Sequence, residues 1–183
     1  MPRRLTLKEK IYRCMKVNEP ADDIYSHFFR FKSIEERKEA LNVIKGYAKT
    51  SNKEIAIRSK ALAILGYLKE MCCGEEVPEY YKDGSIICSD TEIPIIIEDN
   101  CKELVNFFKE NPSYNWRSNQ EVYNWLFETI LSIEDYKIKS EVTKMFLNYI
   151  TENLLLANKE KKESLDEDET YILEQIKRVR DSL

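Results

Sequence analysis

Histidine, glycine and proline are all scarce in this chain, with 1, 4 and 5 residues among 183. So few Gly and Pro leave little to punctuate short strands and turns, and they favour long helices. The single histidine, His27, would need a nucleophile or acid partner close in space to act as a general base, and no motif identifies one. It reads as a helix-face histidine near the core. No apolar run approaches the roughly 18–20 residues that span a bilayer, so no membrane partner is expected. The start is basic, Met-Pro-Arg-Arg, but no apolar signal segment follows it. A Gly-rich phosphate loop, Gly-x-Ser-x-Gly, His-Glu-x-x-His and an Asp/Asn-rich calcium loop are all missing. The expectation is a non-enzyme, with no catalytic residue, no cofactor and no metal.

The five cysteines, Cys14, Cys72, Cys73, Cys88 and Cys101, are odd in number and scattered. That pattern predicts reduced thiols and a cytoplasmic setting. It also argues against a zinc site. Adjacent Cys72 and Cys73 on a helix point roughly 100° apart, so they chelate one tetrahedral ion poorly.

Apolar residues make up 43% of the chain, enough for a core in a single domain. A domain of this size buries roughly 70% of its unfolded surface. Residues 1–80 carry 16 Lys and Arg against 12 Asp and Glu, while residues 81–183 carry 13 against 21. A chain acidic over its larger part is a poor polyanion binder. The exception is residues 1–17, a basic N-terminal helix where Arg3, Arg4, Lys8, Lys10, Arg13 and Lys16 face only Glu9.

Three sequences read as capping boxes: Thr6-Leu-Lys-Glu9, Ser33-Ile-Glu-Glu36 and Ser118-Asn-Gln-Glu121. The first precedes Ile11, Tyr12 and Met15. Pro20 then separates an aromatic helix with Ile24, Tyr25, Phe28 and Phe29. The second opens a helix with Ala40, Leu41, Ile44, Tyr47 and Ala48 on one face. The third opens one with Val122, Trp125, Leu126, Thr129 and Ile130. A helix holding Ile138, Val142, Met145, Phe146, Tyr149 and Ile150 follows. Between these pairs, residues 74–99 hold Gly74, Pro78, Asp83-Gly84 and Pro94, which predict a break in helix. The β-branched runs Ser85–Cys88 and Ile93–Ile97 predict a short hairpin or an irregular insertion there. Beyond it a helix with Leu104, Val105, Phe107 and Phe108 runs to Asn111-Pro112. Residues 158–183 read as a charged linker and one last helix with Tyr171, Ile172, Ile176, Val179 and Leu183. The fold class is therefore all-α, with seven or eight helices.

Residues 53–68 carry a more specific pattern. Ile57-Arg58, Ala61 and Leu65-Gly66 stand in the register of the second helix of a HEAT repeat, and the chain resembles that family over 34–68. Residues 118–150 are similar in a degenerate way, with Lys139 for the Arg and Phe146-Leu147 for the Leu-Gly. The resemblance implies a helical-hairpin bundle or short solenoid that binds another protein: an adaptor, inhibitor or immunity-type module. It also implies close helix approach at Gly66. The alternative it implies is a nucleic-acid-binding or DNA-repair-type protein, kept open by the basic arm and by Trp116 beside Arg117. The acidic balance points instead to a protein partner with a basic surface. The candidate partner-binding residues are Tyr80, Tyr81, Asp83 and Asp90 in the 74–99 segment, with Trp116. In competition with that, Ile86, Ile87 and Ile95–Ile97 fold over the core as a lid. Trp125 reads as core. Glu54, four residues before Arg58, reads as its ion-pair partner.

Overall fold

The computed structural model describes residues 3–49, 54–73, 77–78, 81, 84–111, 114, 119–161, 170 and 174, with side chains of the last long helix described to Asn153. Eight helices are found among them: α1 (Leu7–Lys16), α2 (Ala21–Phe28), α3 (Ile34–Ala48), α4 (Ile55–Cys72), α5 (Ser85–Cys88), α6 (Glu92–Glu110), α7 (Gln120–Leu131) and α8 (Tyr136–Lys161). No strand occurs among the described residues. No helix there is long and apolar enough to cross a membrane.

Local chemistry explains where the helices start. Thr6 Oγ1 accepts from the Glu9 amide at 3.2 Å while the Glu9 carboxylate accepts from the Thr6 amide at 2.8 Å. Ser33 and Glu36 repeat that box, with 3.2 and 2.9 Å. The backbone bonds from Thr6 and Ser33 hold both carboxyls below their ordinary range. The third box is corrected. The N-cap of α7 is Asn119, without a side-chain cap bond, so Glu121 falls one place too early to close a box. Ser118 lies outside the described residues.

The 74–99 segment is corrected too. Residues 85–88 and 92–110 are helical. Pro94 is the third residue of α6, where its missing N–H has no intrahelical bond to lose. Asp90 Oδ1 accepts from the Glu92 amide at 2.9 Å and supplies the start that Pro94 seemed to forbid. Once in a helix, Ile93, Ile96, Ile97, Cys101, Leu104, Val105 and Phe108 form one buried stripe. The isoleucines thus do close over the core, except Ile95, which is exposed. Residues 158–161, expected in a linker, continue α8; the stripe from Tyr171 to Leu183 lies outside the described residues.

The core is one continuous cluster from Ile11 to Ile150. Its axis is α4, apolar on nearly every face, which packs against α1, α2, α3, α5, α6 and α7. At the far end, Phe108 and Tyr149 both stack on Tyr123, whose hydroxyl lies 3.1 Å from that of Tyr149. Burial pushes the Tyr123 phenol far above its ordinary range.

Cysteine chemistry departs from expectation. Cys73, the C-cap of α4, is disulfide-bonded to Cys88 at the end of α5, with Cα atoms 5.3 Å apart. Cys14, Cys72 and Cys101 are free and buried. Desolvation pushes the Cys72 thiol up to about 11 and raises Cys101 further.

Two charges are buried with partners. Lys45 Nζ lies 2.7 Å from Asp90 and 2.8 Å from Glu92. Burial pushes its pKa down, but the two carboxylates outweigh burial and hold it above the ordinary value. Arg58, 2% exposed, does not turn to Glu54 as its spacing suggests. It reaches α6, donating to Glu103 at 2.7 Å and to Asn100 Oδ1. The Lys45 bonds lower the Glu92 carboxyl and the Arg58 bond lowers that of Glu103. A carboxyl lowered by folding adds stability above its unfolded pKa and loses it as pH falls through the folded one. The melting temperature is therefore expected to hold from neutrality to about pH 4.5, the ordinary Glu value, and to drop below it. Replacing both Glu92 and Glu103 by Gln flattens that acid limb. An unchanged slope in the variant counts against these pairs.

Candidate functional site

Of the residues of the proposed 74–99 surface, Tyr81 and Asp90 are described, and neither stands free in solvent. Tyr81 is buried; its ring meets Tyr25 edge-on at 4.9 Å and its hydroxyl donates to Asp22. Asp90 is tied to Lys45. These two residues hold the segment down. Tyr80, Asp83 and Trp116 lie outside the described residues.

The open concavity lies between α4 and α7. Two adjoining clefts, of about 480 and 390 Å³, share Ala63, Tyr67 and Glu128. Lys60, Ala63 and Tyr67 are spaced i, i+3 and i+7 on α4, so they line one helix face. Trp125, Glu128 and Ser132 do the same on and just after α7. The floor is made by small residues. A Cβ built on Gly66 falls 2.6 Å from Ser132 Oγ and 3.0 Å from its Cβ. The close approach expected at Gly66 is thus present, against the C-cap of α7. Substituting Gly66 by Leu should cost about 1–3 kcal/mol through overpacking. Alanine there gains about 1 kcal/mol of helix propensity but still meets Ser132. The double change Gly66→Ala with Ser132→Gly is therefore expected to melt above Gly66→Ala alone. Equal melting temperatures for wild type and Gly66→Leu would show that the helices are not in close contact there.

Above that floor the walls are aromatic and acidic. Trp125, expected in the core, is half-buried and faces the groove. Lys60 Nζ lies 5.1 Å from the centre of its ring, within cation–π range. Lys60 is 8% exposed, and desolvation lowers its pKa against the opposing pull of Glu128 and Glu121. Tyr67 is 39% exposed; burial first, then Glu128, raises its phenol. Leu131 is also exposed at the rim, while Lys69 is paired with Glu134. Glu70 completes the acidic lining.

Among the described residues that line this groove there is no nucleophile–base pair. What the arrangement can do is hold a chain segment: a small-residue floor, two aromatic rings for apolar contact, and carboxylates for a cation. Sequence reading missed Lys60, Tyr67 and Glu128. One signal was present. In the stretch Ile55–Leu68 of α4, Arg58 and Lys60 are the two charged residues, and each needs a reason.

No known protein family, curated protein or solved structure matches this chain. The class defined here is an all-α domain with an acidic, aromatic-walled groove along its central helix.

Proposed function

We propose that the chain is a non-catalytic protein-interaction module, of adaptor, inhibitor or immunity type, whose partner lays a basic segment in the α4–α7 groove. The observation that carries this reading is the groove itself: Tyr67 and Trp125 on its walls, with Glu70 and Glu128 among the residues that line it. Exposed Tyr and half-buried Trp supply much of the energy at protein interfaces, and the carboxylates select against anionic partners. In this proposal the α3–α4 hairpin is the HEAT-like pair, and its α4 face is the binding face. A cytoplasmic setting is kept only as a proposal, and the Cys73–Cys88 bond argues against a strongly reducing one.

Peptide display with the full chain as bait tests it. Selection should enrich Lys- and Arg-containing peptides with an apolar anchor. Trp125→Ala and Glu128→Lys should each weaken them about 30-fold, the equivalent of a 2 kcal/mol hot spot. Peptides that bind both variants as tightly as wild type would move the site elsewhere. Salt-sensitive retention of duplex DNA, with no peptide enriched, would favour the nucleic-acid alternative.

A further inference from the structure

A second cluster lies at the corner between α1 and α2, whose Asn18 and Pro20 also line the second cleft; it does not rest on the groove reading. Cys14 stands near the end of α1 and His27 in the last turn of α2. Between them Asn18 takes a left-handed conformation, φ 58°, which Asn tolerates better than most residues. That turn brings Glu19 back under α1, where its amide donates to the Cys14 carbonyl at 2.9 Å. One ligand atom from each of Cys14, Glu19 and His27 lies within 4.8 Å of the others.

We propose that Cys14, Glu19 and His27 bind a zinc ion, with the fourth position open to water. Two features of the grouping suit a cation. Glu19 Oε2 is shielded from water, with no nitrogen or oxygen donor in hydrogen-bond reach and the Cys14 thiol as its neighbour. A carboxylate oxygen so shielded is held most favourably when a full positive charge meets it. It also stands 3.6 Å from His27 Nδ1. A tetrahedral zinc that holds nitrogen and oxygen at about 2.0–2.2 Å spaces them about 3.4 Å apart, so that edge of the site is already formed. The two edges to sulfur, each no longer than 4.8 Å, close by a side-chain adjustment of about an ångström. A thiolate, an imidazole and a carboxylate suit zinc better than calcium or magnesium, which take oxygen ligands. His27 is largely exposed, which leaves the outer position to solvent. On binding, the Cys14 S–H bond breaks, a sulfur–zinc bond forms and the proton goes to solvent. This departs from the sequence reading, which placed His27 near the core and assigned no metal.

Cobalt and zinc titrations of the full chain, chelator-stripped and with Cys73–Cys88 left oxidised, test the site. One equivalent of Co²⁺ should give a sulfur-to-cobalt charge-transfer band and the intense visible bands of a tetrahedral ion. Zn²⁺ should displace it, and at a hundredfold its Kd should raise the melting temperature by about 5–10 °C. His27→Gln, Glu19→Gln and Cys14→Ser should each weaken Zn²⁺ about 100-fold or more, since even outer-shell changes cost 10–100-fold. His27 is exposed, so its variant reports even if Cys14→Ser fails to fold. The proposal is overturned if the wild type takes up no stoichiometric metal, or if His27→Gln and Glu19→Gln leave the cobalt spectrum and zinc affinity unchanged.

Discussion

Replacing Arg58 by alanine is expected to destabilise the fold by about 3–5 kcal/mol, because it both breaks a buried charged network and opens a cavity beside the central helix. At about 2–4 °C per kcal/mol for a chain of this size, the melting temperature falls by roughly 10 °C. The reason lies in where the guanidinium goes. It is 2% exposed and its main charged partner, Glu103, is held 2.7 Å away on α6. Asn100 is fixed by its own bond to the Ile96 carbonyl at 2.7 Å, so its oxygen faces Arg58 and has nowhere else to turn. Arg58 therefore locks α4 to α6 through a side chain too large to collapse around. Two controls separate charge from volume. Arg58→Met keeps most of the volume and should recover the cavity part of the loss, while the part from leaving buried Asn100 Oδ1 unpaired remains. Glu103→Gln should cost far less than Arg58→Ala, because its side chain is 61% exposed and water replaces the lost charge. Melting of Arg58→Ala within a degree of wild type would mean that the guanidinium is not buried as described.

Most of the fold was legible in the sequence where a local rule and the core agreed. The boxes at Thr6 and Ser33, and the stripes from Ala40 to Ala48 and from Val142 to Ile150, are such cases. They fail together at 74–99. There the β-branched run Ile93–Ile97 outvoted its period. Read with Asn100, Leu104 and Phe108 it repeats every three or four residues, and Pro94 occupies the one turn that tolerates it. The candidate site was less legible, for a physical reason. A groove is made by two helices far apart in sequence, so the spacing of Lys60, Ala63 and Tyr67 says only that they share a face. Whether that face is covered depends on how close α7 comes, and Gly66 against Ser132 decides it. Tyr81 shows the opposite error. Its polar, acidic neighbours suggested exposure, while Tyr25 and Asp22 from α2 enclose it.

Breaking the Cys73–Cys88 bond is expected to cost about 3 kcal/mol, the loop-closure value for a bridge across about 15 residues. The sequence separation is 15. That corresponds to about 6–12 °C in melting temperature, measured on the same chain with and without reductant, or on Cys73→Ser with Cys88→Ser. The bond matters because of what it holds. α5 has four residues, and a helix that short does not persist by itself. Its anchors are Ile87, which is fully buried, the disulfide to the end of α4, and the close approach of Gly84 to Cys72, where an added Cβ would fall 2.7 Å from the Cys72 Cβ. Losing the bond leaves Ile87 and, past it, the Lys45 clamp on Asp90 and Glu92 to keep the start of α6 in place. The fold should therefore survive reduction, with amide exchange quickening first at α5. Thiol counting gives an independent check. Alkylation of the unreduced chain in denaturant should label Cys14, Cys72 and Cys101 alone, and the native chain should label slowly, since all three are buried. Labelling of all five cysteines without reductant would restore the reduced, cytoplasmic reading that their odd number first suggested.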